Sequence, residues 1–300
     1  MELSTWIIIL MLVVLIFAGT IQFKNKELQE GFKGSEEHPK IAFCFLTVGD
    51  VHKPHIWATF LKGKENLYNI YVHPKYPDRI KSFLKNHIIP SYDHVSTKWG
   101  DISLVRATLK LFKNALADHN NKMFVLVSDS CIPIRNFDFV YSELIADQSN
   151  IISSHSQQNS YTVLRYKQLK DQKFLTKSQF KKVSQWLAVN QKTAHFLVTN
   201  DYTDLYRNMF CPDEHYFANV LDKFNKPYND RKLTCVDWNN PSLDPKYRPY
   251  PKTFTKLELS DIKKCRTTGA LFLRKIVPET KVSERDLFED QSSNISIVSI

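Results

Sequence analysis

Cys211-Pro212-Asp213-Glu214-His215-Tyr216-Phe217 sets two adjacent carboxylates behind a proline, at the head of a run with Phe217, Val220, Leu221 and Phe224 at helical spacing. Proline at the first helical position and acids in the first turn are ordinary helix-start chemistry. A carboxylate there has a second use. The helix dipole favours its charged form, so it stays ionised at neutral pH and can take a proton from a reacting hydroxyl. Taken alone, the helix-start reading remains the simpler one for Asp213 and Glu214. His215, beside Glu214, reads as a local hydrogen-bonding residue.

A second group of residues could hold an anionic substrate. Asp129, in Ser128-Asp129-Ser130-Cys131-Ile132-Pro133, stands where metal-using nucleotide-sugar transferases place an Asp-x-Asp pair. Two carboxylates are needed there to hold Mg²⁺ or Mn²⁺ against a diphosphate. Residue 131 is Cys, so the pair is broken, and the bland reading of Asp129 is a turn residue bonded to backbone. No metal site and no other cofactor is expected. If a diphosphate were bound there without a metal, basic side chains would have to meet it as preorganised charge. Arg274 and Lys275, just after an apolar run, are candidates, as is Lys252. Each alone is more simply a solvated surface charge. Trp99, Trp186 and Trp238 fit core or loop packing, or stacking on the apolar face of a sugar ring.

These residues need a scaffold with several strand ends at one edge. Ile41 to Val48 is a nearly continuous apolar run of buried-strand length, and Leu67 to Val72 and Met123 to Val127 are two more. Ile102, Val105, Leu109, Phe112 and Leu116 mark a helix between the second and third. Alternating strands and helices predict an α/β fold with a mostly parallel central sheet flanked by helices. In such sheets ligands sit at the carboxyl ends of the strands. Thr47-Val48-Gly49-Asp50, His73-Pro74-Lys75 and Ser128 to Cys131 fall there, which nominates Thr47, His73 and Asp129. Further helices are expected from Gln191, over Tyr202 to Met209 and over Asp213 to Phe224. Pro241 to Pro251, with four prolines, reads as a loop, Ala270 to Leu273 as a last strand, and the chain from 281 as a loosely ordered tail.

Composition narrows the class. Seven glycines, none arranged as Gly-x-Gly-x-x-Gly, leave no dinucleotide turn or phosphate loop. The net charge of +10 is spread along the chain without a basic block, so a nucleic-acid partner is not expected. Five cysteines show no Cys-x-x-Cys pair and no zinc spacing; in a secretory lumen some could pair. Leu3 to Phe23 carries no charge, and about 20 such residues cross a bilayer as a helix. Residues 1–23 are read as an uncleaved membrane anchor, 24–39 as a polar stem and 40–280 as the globular body. A cleavable signal peptide is the rival, although its basic n-region is missing. Lys24 and Lys26 after the span would favour a cytoplasmic body.

Taken in order, several segments resemble the core-2/I-branching β-1,6-N-acetylglucosaminyltransferase family, especially its plant-type branch. They include Phe43 to Thr47, Ile70 to His73, Trp99-Gly100, Ser130 to Pro133, Arg165-Tyr166, Ser184-Gln185-Trp186, Asp213 to Phe217, Val236-Asp237-Trp238, Pro251 to Thr253 and Arg274-Lys275. The resemblance implies a GT-A-like fold and an inverting, metal-independent enzyme with a type II anchor in Golgi membranes. It would carry N-acetylglucosamine from a UDP donor to a hydroxyl on a glycan or glycoprotein. Glu214 matches the family's base and Lys275 a diphosphate-binding residue, with Arg274, Lys252 and Arg266 as candidates for the second cation. Arg165, Trp186 and Asp213 are assigned to the acceptor. His73 stands where animal members carry an Asp near the uridine, which leaves UDP-xylose and UDP-glucuronate open as donors. A membrane-anchored glycan-binding protein without turnover is the alternative from another class.

Overall fold

The computed structural model describes residues 38–155, 160–171, 173–238 and 250–289. The uncharged segment read as a membrane anchor, the stem up to residue 37 and most of the Pro-rich stretch lie outside these. Among the described residues no helix is long and apolar enough to cross a membrane.

Lys40–Thr47 (β1) is buried from Ile41 onward, as expected of a strand covered on both faces. Pro54–Leu61 (α1) follows, with proline at its start, and then Tyr68–Pro74 (β2). Ser103–Ala115 (α2) buries the stripe Val105, Leu109 and Phe112, and leads into Asn121–Ser128 (β3). Ile132–Pro133 (β4) and Phe137–Ile145 (α3) come next, the helix capped by the Asn136 side chain, which accepts from Phe139 N at 2.8 Å. The central portion holds Ser154–His155 (β5), Ser160–Lys167 (α4), Lys182–Val183 (β6), Ala188–Asn190 (β7), Gln191–Thr199 (α5) and Tyr216–Lys223 (α6). Thr234–Val236 (β8), Phe254–Lys256 (β9), Leu259–Arg266 (α7), Phe272–Arg274 (β10), Ile276–Lys281 (β11) and Glu284–Phe288 (α8) complete it.

The main sheet has the order β2-β1-β3-β7; the first three strands run parallel and β7 is antiparallel. Alternate residues build two faces. Ala42, Cys44 and Leu46 face α2, α5 and α6, whereas Ile41, Phe43 and Phe45 pack with Trp57 and Phe60 of α1 and Phe137 and Val140 of α3. A smaller sheet, β4-β10-β8, continues the body. Its strand β8 is tied to α7 by a Cys235–Cys265 disulfide, while Cys44, Cys131 and Cys211 are free and buried.

Three expectations are revised. The helix foreseen over Tyr202 to Met209 is a single 3₁₀ turn, Thr203–Tyr206. Asp213 and Glu214 do not open an α-helix: Pro212–Glu214 is its own 3₁₀ turn, and α6 starts at Tyr216. The ordered body also passes residue 280, because α8 places Leu287 fully buried against Ile262 and Cys265. The polar composition after Ser283 hid that one anchoring leucine.

Candidate active site

Because β1, β2 and β3 are parallel, Thr47, Pro74 and Ser128 end at one edge, with Leu46 level with both His73 and Ser128. Asp129 ties that edge together. Its Oδ2 accepts from Val48 N at 3.0 Å, and its carbonyl accepts from His52 N at 2.9 Å. The chain after β10 is drawn to the same place. Ile276 N donates to the Ser130 carbonyl at 3.1 Å, and the His52 ring bonds the Ile276 carbonyl at 2.8 Å. Arg274 and Lys275, both half-buried, thus arrive beside the loops that follow β1 and β3.

Three polar atoms at this edge are buried with no hydrogen-bond partner among the described residues: Thr47 Oγ1, His73 Nδ1 and Arg274 Nε. His73 Nε2 accepts from Val95 N at 2.9 Å, so in the neutral ring Nδ1 carries the hydrogen and is an unused donor. Burial, helped by the neighbouring His94, pushes the His73 pKa down to about 4, and the ring stays neutral near pH 7. An unspent donor and an unspent hydroxyl on adjacent strands are what a bound heterocycle with polar edges would satisfy.

The carboxylate pocket is built on a second set of elements. Cys211 adopts a left-handed φ of 53°, a costly conformation for a non-glycine residue, and is fixed there by its N–H donating to the Gly100 carbonyl at 2.9 Å. The turn it launches brings Glu214 to Arg165, whose Nη1 donates to Glu214 Oε2 at 2.6 Å, with Lys182 Nζ 3.5 Å from the same oxygen. Arg165 Nη1 also lies 3.1 Å from His215 Nε2, which can only accept from a guanidinium. His215 Nδ1 therefore donates to the Lys181 carbonyl, at 2.7 Å. Asn219 grips Lys181 at both its N–H and its carbonyl, and Phe180 stacks on the His215 ring at 4.6 Å. Burial pushes the His215 pKa down to about 3, so the imidazole keeps its acceptor. His215 is in effect a bracket for Arg165, and Arg165 for Glu214.

Asp213 points the other way from its neighbour in chemistry. It is buried and its Oδ1 has no partner among the described residues. Burial, then the nearby Glu214 carboxylate, push its pKa up to about 7. Environment thus divides the two adjacent acids: Glu214 is three-quarters buried but charge-paired, and Asp213 is held toward its neutral form. Burial, then the Asp213 and Glu214 carboxyl groups, raise the Cys211 thiol to about 12.

The strand-end edge and the carboxylate pocket meet through residues 182–186. Lys182 reaches Glu214 at one end, and at the other Trp186 lies under the Arg274 guanidinium at 4.7 Å. Trp238 lies 5.9 Å from Lys182 Nζ, and the Asp237 carbonyl accepts from Lys252 N at 2.7 Å. The structure thus gathers Glu214, Arg165, Asp213, Arg274, Trp186 and Lys252 into one connected region.

Two expected roles change. Trp186 is buried and presents its ring to Arg274, so it supports a cation where an acceptor contact was expected. Arg266 donates to the carbonyls of Ile134, Asp286 and Leu287 at 2.7–3.0 Å, which makes it a tie between α7 and the chain end and takes it out of the diphosphate candidates. Lys252 Nζ sits 4.5 Å from the Phe254 ring and 3.9 Å from Asp261. Lys182 was missed by the sequence reading. Its signal was weak but present: one of two adjacent lysines separated from Ser184-Gln185-Trp186 only by Val183.

The Core-2/I-branching enzyme family model matches residues 41–266, well over half of the chain, and the chain belongs to that family. Among curated proteins it is similar to "Glycosyltransferase BC10" of Oryza sativa subsp. japonica, at 27% identity over 212 residues. The match covers 67% of this chain and 47% of that protein, so the chain spans about half the length of its relative. Among solved structures, the A197 protein from STIV aligns with 52% of this chain and 67% of its own, at 10% identity and a TM-score of 0.24, a likeness too slight to carry weight.

Proposed function

We propose that the protein is an inverting, metal-independent glycosyltransferase that moves N-acetylglucosamine from UDP-N-acetylglucosamine to a hydroxyl of a glycan or glycoprotein. One observation carries this reading: a largely buried, doubly charge-paired carboxylate, Glu214, joined through residues 182–186 to a cation, Arg274, at the carboxyl edge of a parallel sheet. Glu214 takes the proton of the acceptor hydroxyl as its oxygen attacks the anomeric carbon. The bond to the diphosphate breaks in the same in-line step, and UDP departs against Arg274, Lys275 and Lys252. Arg165 and Lys182 hold the carboxylate until an acceptor hydroxyl competes for it. Thr47 Oγ1 and His73 Nδ1 supply the unpaired polar atoms for the nucleotide base.

Metal independence rests on the donor set. Asp129 is bonded to Val48 N, and position 131 offers a buried thiol within 3.1 Å of Ser128 Oγ, where a second carboxylate would be needed. A secretory-lumen location, with residues 1–23 as a type II anchor, is supported by the Cys235–Cys265 disulfide, which persists in oxidising compartments. Hydrolysis of UDP-N-acetylglucosamine, UDP-xylose and UDP-glucuronate by the wild-type chain tests donor choice directly. Glu214→Gln keeps the shape of the pocket and should lower transfer by roughly a hundredfold or more. Near-normal transfer in that variant, or no cleavage of any of the three donors by the wild type, sinks the reading.

A further inference from the structure

Two large aromatic side chains beside the carboxylate pocket are left open to solvent. Trp99 is 68% exposed and Phe210 48% exposed, and the two rings meet edge to face with centroids 5.4 Å apart. Exposed single aromatics need no explanation, but this pair is built in place. Gly100 holds a φ of 73°, and a Cβ there would come within 2.9 Å of the Phe210 ring, so the position between Trp99 and the turn accepts only glycine. Phe210 N donates to the Gln168 side chain at 3.0 Å, and the next residue, Cys211, is the one bonded to Gly100. The backbone segments that carry the two rings are thus tied together before any ligand arrives.

Their position points to the occupant. The Arg165 guanidinium lies 5.7 Å from the Phe210 ring centre while its Nη1 grips Glu214 at 2.6 Å. Glu214 marks where the acceptor hydroxyl reacts, so the next sugar of an acceptor chain passes beside Arg165 toward the two rings. An exposed aromatic face, flanked by a second ring set edge to face against it and by a hydrogen-bond donor, matches a pyranose, with its C–H face against the ring and hydroxyls at the rim.

We propose that Trp99 and Phe210 form a preformed acceptor subsite that stacks the sugar ring adjoining the one modified, so that the acceptor is an oligosaccharide or polysaccharide segment. This deepens the transfer reading and rests on it for the meaning of Glu214. The platform itself is tested by binding. The probes are β-linked gluco-, galacto- and xylo-oligosaccharides of one to four sugars, titrated calorimetrically against the full chain. At least one series should bind the wild type more tightly as a disaccharide than as its methyl monosaccharide. Trp99→Ala should reduce that gain on the order of tenfold, and Trp99→Phe should restore most of it. Restoration by phenylalanine shows that the lost term is stacking, and thermal unfolding of both variants checks that each is folded.

A length-dependent gain that survives Trp99→Ala overturns the proposal, as does the lack of any gain in all three series. Binding of anionic liposomes that Trp99→Ala abolishes, without sugar binding, assigns the rings to a membrane surface and overturns it too. UDP-sugar hydrolysis on the same samples keeps the two readings apart. Hydrolysis without a stacking gain fails the platform alone. A stacking gain with no hydrolysis of any donor fails the transfer reading and leaves a glycan-binding site.

Discussion

Asp213→Asn should make the folded protein more stable, and increasingly so as the pH rises. In the wild type Asp213 is buried beside the Glu214 carboxylate, and its pKa rises from an ordinary 3.8 to about 7. The folded state therefore holds a proton between these values that the unfolded chain has released. Where the native state binds more protons, stability falls as pH increases. The stabilising state of Asp213 is thus the neutral one, fully in place below about pH 4 and lost progressively as pH climbs to about 7. Each tenfold change in proton affinity is worth about 1.4 kcal/mol, so the full gap is at most about 4 kcal/mol. Asparagine has the same shape and no charge to lose. Urea unfolding at about pH 5 and about pH 8 should show the variant's lead growing, from at most about 1.6 kcal/mol at the lower pH to at most about 4 kcal/mol at the higher one. His73 and His215, both held neutral by burial, have the opposite slope, losing stability as pH falls below about 6.5. They are common to both proteins and largely cancel in the difference. A lead that stays flat across this range, or narrows toward alkaline pH, would refute the assignment of Asp213 as a neutral buried acid.

Other expectations are simpler. Transfer should be unaffected by EDTA; inhibition by chelator with recovery in Mn²⁺ would remove Arg274 and Lys275 from their role at the diphosphate. Breaking the Cys235–Cys265 bridge by Cys265→Ser should cost about 3.5 kcal/mol, from the loop-closure entropy of a separation of 30 residues, read as a lower urea midpoint. An unchanged midpoint shows that the bridge adds nothing. In sealed microsomes the body should resist added protease and Asn294, in the sequon Asn294-Ile295-Ser296, should gain a glycan; digestion with Asn294 bare would place the body in the cytosol.

Much of this was legible in the residues. Continuous apolar runs specified β1, β2 and β3, because strands covered on both faces need no alternation, and the parallel order then brought Thr47, His73 and Asp129 to one edge. Glu214 was found as a carboxylate in a helix-start pattern, although the pattern resolves into a 3₁₀ turn. What sequence could not give were contacts between distant segments. Nothing local in Val163-Leu164-Arg165 announces a partner 49 residues away, and the basic residue Arg266 looked no different from Arg274 until backbone carbonyls were seen to claim it. Trp186 and Trp99 are likewise equivalent as letters. One is 6% exposed beneath a guanidinium and the other 68% exposed beside the pocket, and only packing separates them.

The disulfide has a topological consequence. Joining Cys235 to Cys265 closes the intervening chain into a covalent ring, and Trp238 and Lys252 both lie on that ring. A single backbone cut between them would not release a fragment. The two pieces would migrate as one band until a reductant was added, and the nicked protein would keep both side chains tethered near Lys182 and β9. The ring lets this stretch be opened by a protease without being lost.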